Sequence, residues 1–146
     1  MADTSAGARA PAHWLVKSEP GAYSWADLVR DGRTQWTGVR NNQAAIHLRA
    51  MRLGDLALFY HSNKGLEAVG VAEVVAEHYP DPTDEAHRFV AVDIAPRGPL
   101  TKPVTLAQMK TTPELSAMTL LRQGRLSVVP ITPAEWATIM ALANAR

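Results

Sequence analysis

The segment "TQWTGVRNNQA" at residues 34–44 places a large aromatic ring among groups that form hydrogen bonds. Trp36 stands two residues before Gly38, and Arg40 is followed by three amide side chains. An indole gains little from burial in so polar a segment. A tryptophan in this setting is typical of a site that stacks a flat ligand with hydrogen-bonding edges, such as a nucleobase. The alternative that Trp36 packs in the core stays open at this point, and we assign Trp14, Trp25 and Trp136 to the core.

Catalytic patterns are weak by comparison. His61 and Ser62 are adjacent in a predicted strand, where neighbouring side chains point to opposite faces, so they make a poor base and nucleophile pair. No Gly-x-Ser-x-Gly, phosphate-binding loop or dinucleotide fingerprint is present, and the five histidines lack metal-ligand spacing. We therefore expect no catalytic residue, no metal and no cofactor. An enzyme acting on nucleic acid or a nucleotide, with His61 as acid or base, is an alternative.

Polar and aromatic residues recur where predicted strands end, in "KSEP", "FYHSN" and "RLSVVP". If the strands form one sheet, these ends can converge on one concave site. Stacking a base on an aromatic ring stabilises binding by ~1–3 kcal/mol, which is comparable to the cost of unstacking that base from a duplex. Edge hydrogen bonds and phosphate contacts, from Arg40 or Arg125, must supply the rest.

Length and composition restrict the class of protein to which this chain can belong. The 146 residues suit one domain, and the absence of cysteine excludes a disulfide scaffold. The longest apolar runs are far below the ~18 residues that span a bilayer. Residues 13–64 carry seven basic and four acidic side chains, and residues 96–146 carry six basic and two acidic ones. Residues 65–95 carry one basic and seven acidic side chains. If the outer segments share a face, that face is basic and suits a polyanion, and residues 65–95 form an acidic back.

Local patterns predict the elements that position these residues. Ser24, Asn41 and Thr132 are predicted helix N-caps, and Pro133 with Glu135 completes the signature of a C-terminal helix. The segment "DGRTQWTG" is predicted to be a loop, and one or two short helices are expected in "TLAQMKTTPELSAMTLL". Strands are predicted at "HWLVKS", "LALFYHS", residues 66–78, "RFVAVDIAP" and "RLSVVPI".

The order of these elements indicates an α+β fold. Two connections suit antiparallel hairpins and regular βαβ alternation is missing, so we expect a small curved sheet or open barrel with short helices packed outside. We expect a flexible N-terminal tail over residues 1–12, a single domain over residues 13–146, a cytoplasmic location and a monomer.

Several motifs, in order, resemble the EVE domain family of the PUA-like superfamily, which is related to the thymocyte nuclear proteins of animals. They are "HWLVKSEPGAYSW", "WTGVRNNQA", "LGDLALFYHSN", "VGVAEVV", "YPDPT", "PVTLAQMK" and "RLSVVPITPAEW". The resemblance implies a curved, barrel-like sheet of five or six mixed or antiparallel strands. It also implies a pocket similar to that of YTH domains, which read methylated adenine in RNA, and a role in recognising modified cytosine in DNA.

Carried over by position, the resemblance implies a ligand-binding set around an aromatic wall. Trp36 would be that wall, and Lys17 and Ser18 would form the floor. The other predicted members are Gly38, Val39, Arg40, Asn41, Tyr60, His61, Ser62, Arg125, Leu126, Ser127 and Val128.

This chain departs from the family pattern at several positions. The family pattern usually continues Arg-Asn with Tyr-Gln-Ala-Arg-Asn, whereas residues 42–46 here are Asn-Gln-Ala-Ala-Ile. Val129 stands where glutamine is common, and the loop after "YPDPT" is shorter than in many relatives. These differences remove candidate stacking, phosphate and edge contacts, so the pocket is either retuned to another base or weakened.

We therefore predict a non-catalytic reader of DNA or RNA that takes a modified base, such as a methylated or hydroxymethylated one, into a pocket walled by Trp36. A small-molecule or protein-interaction module that has lost base recognition is a further alternative. The prediction requires the indole to stand open to solvent beside a hollow, so that Trp36→Ala weakens binding and leaves the fold intact.

Overall fold

A six-stranded mixed sheet organises the chain, which the computed structural model describes over residues 10–145. The strand order is β2-β5-β4-β3-β1-β6, with β1 and β3 parallel and the other neighbours antiparallel. The strands are β1 (His13–Ser18), β2 (Thr34–Trp36), β3 (Leu56–His61), β4 (Glu67–Pro80), β5 (Val90–Thr105) and β6 (Val128–Ile131). The helices are α1 (Trp25–Asp31), α2 (Asn42–Ala50), α3 (Leu106–Lys110), α4 (Thr119–Arg122) and α5 (Pro133–Asn144).

Helices cover both faces of the sheet because strand side chains alternate between two apolar clusters. On one face, Val16 and Phe59 pack against Leu28 of α1 and Leu48 of α2. On the other face, Leu15, Leu58 and Tyr60 pack against residues of α3, α4 and α5. The open sheet with short helices outside confirms the predicted α+β, PUA-like fold.

The predicted helix caps are confirmed. Ser24 and Thr132 each begin a helix with a reciprocal capping box, and the Asn41 side chain accepts a hydrogen bond from the backbone N–H of Ala44 at 3.0 Å. Thr105, which was not predicted as a cap, begins α3 in the same way as Ser24 and Thr132. Each cap satisfies N–H groups that a helix start leaves without an internal partner. Asn41 therefore fixes where the polar segment after Trp36 becomes helix.

One sequence prediction about an element is wrong and another is confirmed. The segment predicted as a loop contains β2, whose Thr34–Trp36 pair with Val92–Ile94 of β5. A three-residue edge strand has no alternation long enough to detect. The segment predicted to hold one or two short helices contains two, α3 and α4, with a 3-10 turn at Pro113–Leu115 between them, so this prediction is confirmed.

Strand β5 is longer than predicted and continues through Pro96, Pro99 and Pro103. Proline lacks the N–H that a central strand needs, so it is tolerated on edges and at bulges. Beyond Ile94 the side of β5 away from β4 is an edge, because β2 pairs only as far as that residue, and the β4–β5 register shifts at several points. The prolines are therefore compatible with the hairpin.

The start of the domain is tied to the β3 end of the sheet. Ala12 donates its backbone N–H to the carboxylate of Asp55 at 3.0 Å, and its carbonyl accepts from Leu56 at 3.1 Å. Asp55 is buried and also accepts from the indole nitrogen of Trp14 at 3.0 Å. Residues 1–9 of the predicted tail lie outside the described residues. Among residues 10–145 no helix is long and apolar enough to cross a membrane.

Candidate functional site

A cavity of about 870 Å³ lies where the parallel strands β1 and β3 end, within the size range of small-ligand sites. Lys17, Ser18 and Ser62 reach it from these strand ends, and the segment around Trp36 closes another side. The loop before β6 contributes the remaining wall. The lining residues are Lys17, Ser18, Glu19, Ala22, Tyr23, Thr34, Gln35, Trp36, Thr37, Gly38, Val39, Arg40, Asn41, Ser62, Gly124, Arg125 and Ser127.

Trp36 is a wall of this cavity but does not stand open to solvent. It is 9% exposed, and its ring meets Phe59 edge to face at a centroid distance of 5.6 Å. The expectation of an indole open at the mouth of the hollow is therefore wrong. The polar segment permits this burial because β2 carries Trp36 in from the sheet edge, where its ring reaches the core cluster on that face.

Tyr23 supplies a second aromatic wall that the sequence reasoning did not identify. Its ring lines the cavity and meets Trp36 at 78° with centroids 6.5 Å apart. The hydroxyl donates to Asp31 at 2.8 Å, and the backbone carbonyl accepts from Ser18 at 2.5 Å. Tyr23 is half-buried, whereas Trp36 is buried. Its position just after the Pro20–Gly21 turn, at the edge where β1 ends, was the available signal.

Asp81 anchors the segment that follows Trp36. Its side chain is completely buried and accepts hydrogen bonds from the Gly38 backbone N–H at 2.8 Å, from Arg40 at 3.0 Å and from Thr83 through both backbone and hydroxyl. Burial alone would raise the pKa of Asp81, but these hydrogen bonds outweigh it and lower the pKa to about 2. Gly38 has a φ of +85°, which side-chain-bearing residues rarely adopt. The cavity wall is therefore held in one unusual conformation by a buried carboxylate.

Arg40 lines the cavity, but its guanidinium is occupied. One terminal nitrogen is 3.0 Å from Asp81 and the other donates to the Thr83 hydroxyl at 2.9 Å. The group also lies 5.7 Å from the centre of the Phe89 ring. Arg40 therefore acts first as a brace between the cavity wall and the β4–β5 connection, and not as a free cation.

Several polar groups of the lining retain unused hydrogen-bonding capacity. The Lys17 amine donates to the Gly124 carbonyl at 2.5 Å, and burial lowers its pKa. Asn41 uses its side-chain oxygen as the cap of α2, which leaves its NH2 group as a donor. Within residues 10–145 the hydroxyls of Thr37, Ser62 and Ser127 have no side-chain hydrogen bond. The cavity thus offers both donors and acceptors to the edge of a planar ligand.

Four predicted site residues do not line the cavity. Tyr60 is 2% exposed and belongs to the apolar cluster on the opposite face, because it alternates with Phe59 along β3. Leu126 and Val128 are core residues on either side of Ser127. The fourth is His61. The other members of the predicted set line the cavity, so the structure brings most of that set together.

His61 is held by α1 and β3 and does not line the cavity. Its Nε2 accepts the backbone N–H of Trp25 at 3.1 Å, and its ring packs on Phe59. Burial lowers the pKa of His61, and Glu67 opposes that shift. This arrangement uses Nε2 to cap α1, and His61 does not line the cavity, so the geometry gives no support to the alternative of His61 as an acid or base there. Among residues 10–145 no group of three His, Cys, Asp or Glu side chains is placed to hold a metal ion.

Comparison with known sequences decides the family. The sequence model of the EVE domain family matches residues 12–142. The chain belongs to the EVE domain family. Thymocyte nuclear protein 1 of rat is 34% identical over 168 residues, covering 92% of this chain and 74% of the relative. The human protein of the same name is 33% identical, covering 89% and 73%. The resemblance seen in the sequence motifs is thereby confirmed.

Solved structures of other EVE-like chains share the fold. A Rhodopseudomonas palustris protein solved by NMR is 51% identical, with a TM-score of 0.86 and coverage of 90% of this chain and 92% of its own. Human thymocyte nuclear protein 1, crystallised in complex with DNA containing 5-methylcytosine, is 32% identical, with a TM-score of 0.83 and coverage of 92% and 99%.

Proposed function

We propose that this EVE domain is a non-catalytic module that binds DNA carrying a modified base, with the base extruded into the cavity beside Tyr23 and Trp36. The observation that carries the proposal is the aromatic corner that these two rings form in the cavity wall. The crystallisation of the human relative with 5-methylcytosine DNA supports this class of ligand. Binding of modified RNA, the monomeric state, the cytoplasmic location and the single domain over residues 13–146 stay predictions.

The two rings have different roles in this proposal. Trp36 is held by Phe59 and offers only a small part of its surface, so it limits how deep a ligand enters. Tyr23 is partly exposed and fixed by its hydroxyl, so its face is the stacking platform. A ligand on the face of Tyr23 meets the nearly perpendicular ring of Trp36 at its side. Such a corner selects by shape, because a substituent on the base edge changes the fit against Trp36.

The polar lining supplies the edge contacts that cytosine requires. Cytosine presents an amino donor, and its ring nitrogen and carbonyl are acceptors once the base leaves its pair. Lys17 and the Asn41 NH2 group are donors in the cavity, and the hydroxyls of Thr37, Ser62 and Ser127 can accept. A binding site that meets a base at its face and its edge can compensate for the cost of extrusion.

The first experiment compares Tyr23→Ala with Tyr23→Phe on duplexes that differ only in cytosine, 5-methylcytosine or 5-hydroxymethylcytosine. Loss of a stacked ring is worth ~1–3 kcal/mol, so Tyr23→Ala should weaken binding of the preferred duplex about 5- to 150-fold. Tyr23→Phe keeps the ring and should retain most of the affinity. Fluorescence anisotropy measures the dissociation constants, and thermal unfolding checks that both variants fold.

Two results would refute the proposal. Equal affinity of the wild-type protein for modified and plain duplexes would show that base recognition has been lost, as in the interaction-module alternative. Altered nucleosides, detected by mass spectrometry after incubation with modified DNA or RNA, would show an enzyme. A parallel series with modified RNA strands determines which nucleic acid is preferred.

A further inference from the structure

A small groove of about 390 Å³ adjoins the cavity and carries charges that the base pocket does not use. It shares Asn41, Gly124 and Arg125 with the cavity and is otherwise lined by Arg122, Gln123 and Leu126. None of its lining residues is acidic. A ligand in the cavity can therefore extend into a positively charged neighbour without leaving the protein surface.

Arg122 and Arg125 differ from most arginines of the chain in lacking a partner. Within residues 10–145 neither side chain forms an ion pair or a hydrogen bond with the protein, and both are exposed. By contrast, three acids of the predicted acidic back neutralise arginines of the flanking segments: Arg33 pairs with Asp93, Arg40 with Asp81 and Arg97 with Glu73. Among residues 10–145, the two arginines that line the groove are therefore both unpaired: Arg122 is the last residue of α4, and Arg125 lies in the turn between α4 and β6.

The segment from the end of α4 to β6, which carries both arginines, is held in place by backbone hydrogen bonds and core packing. The Lys17 amine binds the Gly124 carbonyl, and the Lys17 backbone N–H donates to Ser127 at 2.9 Å. Leu126 is 8% exposed and anchors the turn in the core, and its N–H donates to Gln123 at 3.1 Å. Two guanidinium groups on a segment with a fixed backbone lose less freedom on binding a ligand than two on a mobile loop.

We propose that Arg122 and Arg125 bind the backbone phosphates that flank the extruded nucleotide, so that the groove is the phosphate subsite of the base pocket. The inference rests on the proposed function. The planar guanidinium matches a phosphate with paired hydrogen bonds, and the absence of acids in the groove favours an anionic occupant such as the phosphodiester backbone. Phosphate contacts carry no sequence information, so this subsite contributes affinity and the aromatic corner contributes discrimination.

The test uses the full chain and two duplexes that differ only in one 5-methylcytosine. Arg122→Ala and Arg125→Ala, alone and together, should weaken binding of both duplexes by the same factor, about tenfold for each guanidinium removed. Each substitution should also flatten the plot of log affinity against log salt concentration by about 0.9, because one fewer phosphate is neutralised. Arg52→Ala is the matched control. Arg52 is exposed, and its side chain makes no hydrogen bond or ion pair among residues 10–145. Its backbone N–H donates to Asp55, which places it near the start of β1, at the opposite end of that strand from the cavity.

The outcomes separate this inference from the proposed function. If the double variant binds both duplexes as Arg52→Ala does, with an unchanged salt slope, the phosphate subsite is refuted while base recognition stands. If the double variant loses preference for 5-methylcytosine instead of overall affinity, the arginines contact the base and the subsite is also refuted. If the wild-type protein shows no preference but the double variant flattens the salt slope, the subsite is supported and the base pocket is not.

Discussion

The buried carboxylate of Asp81 gives a stability prediction whose size follows from its pKa. The pKa falls from an ordinary value of 3.8 to about 2 in the folded protein. At about 1.36 kcal/mol per pKa unit, this difference corresponds to roughly 2.4 kcal/mol of folding stability at neutral pH. Asp81→Asn keeps the shape and one acceptor oxygen but removes the charge. We expect it to lower the free energy of unfolding by about that amount at pH 7.

The pH dependence tests whether the charge is the cause. A carboxyl group whose pKa is lower in the folded state stabilises the fold above its unfolded pKa, and that stability is lost as the pH falls toward the folded pKa. The stability difference between wild type and Asp81→Asn should therefore be constant above about pH 5, fall to roughly 1.3 kcal/mol at pH 3 and nearly vanish at pH 2. Taking the difference cancels the titration of the other carboxylates.

Urea unfolding followed by tryptophan fluorescence, at pH 7, 5, 4 and 3, measures this difference. A difference that stays the same at every pH would refute the reasoning, because the loss would then come from shape and not from charge. A difference below about 0.5 kcal/mol at pH 7 would show that burial cancels the hydrogen bonds that Gly38, Arg40 and Thr83 donate.

Two further substitutions test the packing around the cavity. Trp36→Ala should lower the free energy of unfolding by about 3–5 kcal/mol in urea titrations, because the indole is buried against Phe59, and an unchanged stability would restore the open-ring interpretation. Gly70→Ala should lower the free energy of unfolding by about 1–3 kcal/mol, because a Cβ at this position would lie 2.6 Å from the Trp25 ring. Gly98→Ala in β5 is the control, since its Cβ would meet no atom within 4 Å and stability should change little. Equal effects of the two substitutions would refute the predicted clash with Trp25.

The framework of the fold could be predicted because its signals are local. Ser24, Asn41 and Thr132 cap helices through side-chain chemistry that repeats at fixed spacing, and the apolar strand at "LALFYH" identifies itself by composition. Strand β2 escaped prediction because three residues paired at a sheet edge carry no such pattern. The full length of β5 could not be predicted for a related reason, since its prolines are tolerated where β2 no longer pairs with it, beyond Ile94.

Most residues that line the cavity could be predicted from the sequence, but what each of them does could not. Motif position led to Lys17, Trp36 and Arg125, which do line one cavity. The roles depend on distant partners: Arg40 is occupied because Asp81 lies across the cavity wall, 41 residues away in sequence. Trp36 is buried because of Phe59, on another strand. Burial and pairing are properties of the assembled chain, so a residue's neighbours in sequence do not reveal them.

The parallel pairing of β1 with β3 has a consequence for folding and for measurement. A parallel pair needs a long crossover, and here the crossover between residues 18 and 56 contains both Tyr23 and Trp36. The cavity is complete only when the crossover joins the paired strand ends, because Ser18 and Ser62 line it from those ends and Tyr23 and Trp36 line it from the crossover. A ligand that binds only the folded protein raises the melting temperature of the protein by mass action. An oligonucleotide that occupies the cavity therefore protects the central strands from hydrogen exchange as well as the loops it touches.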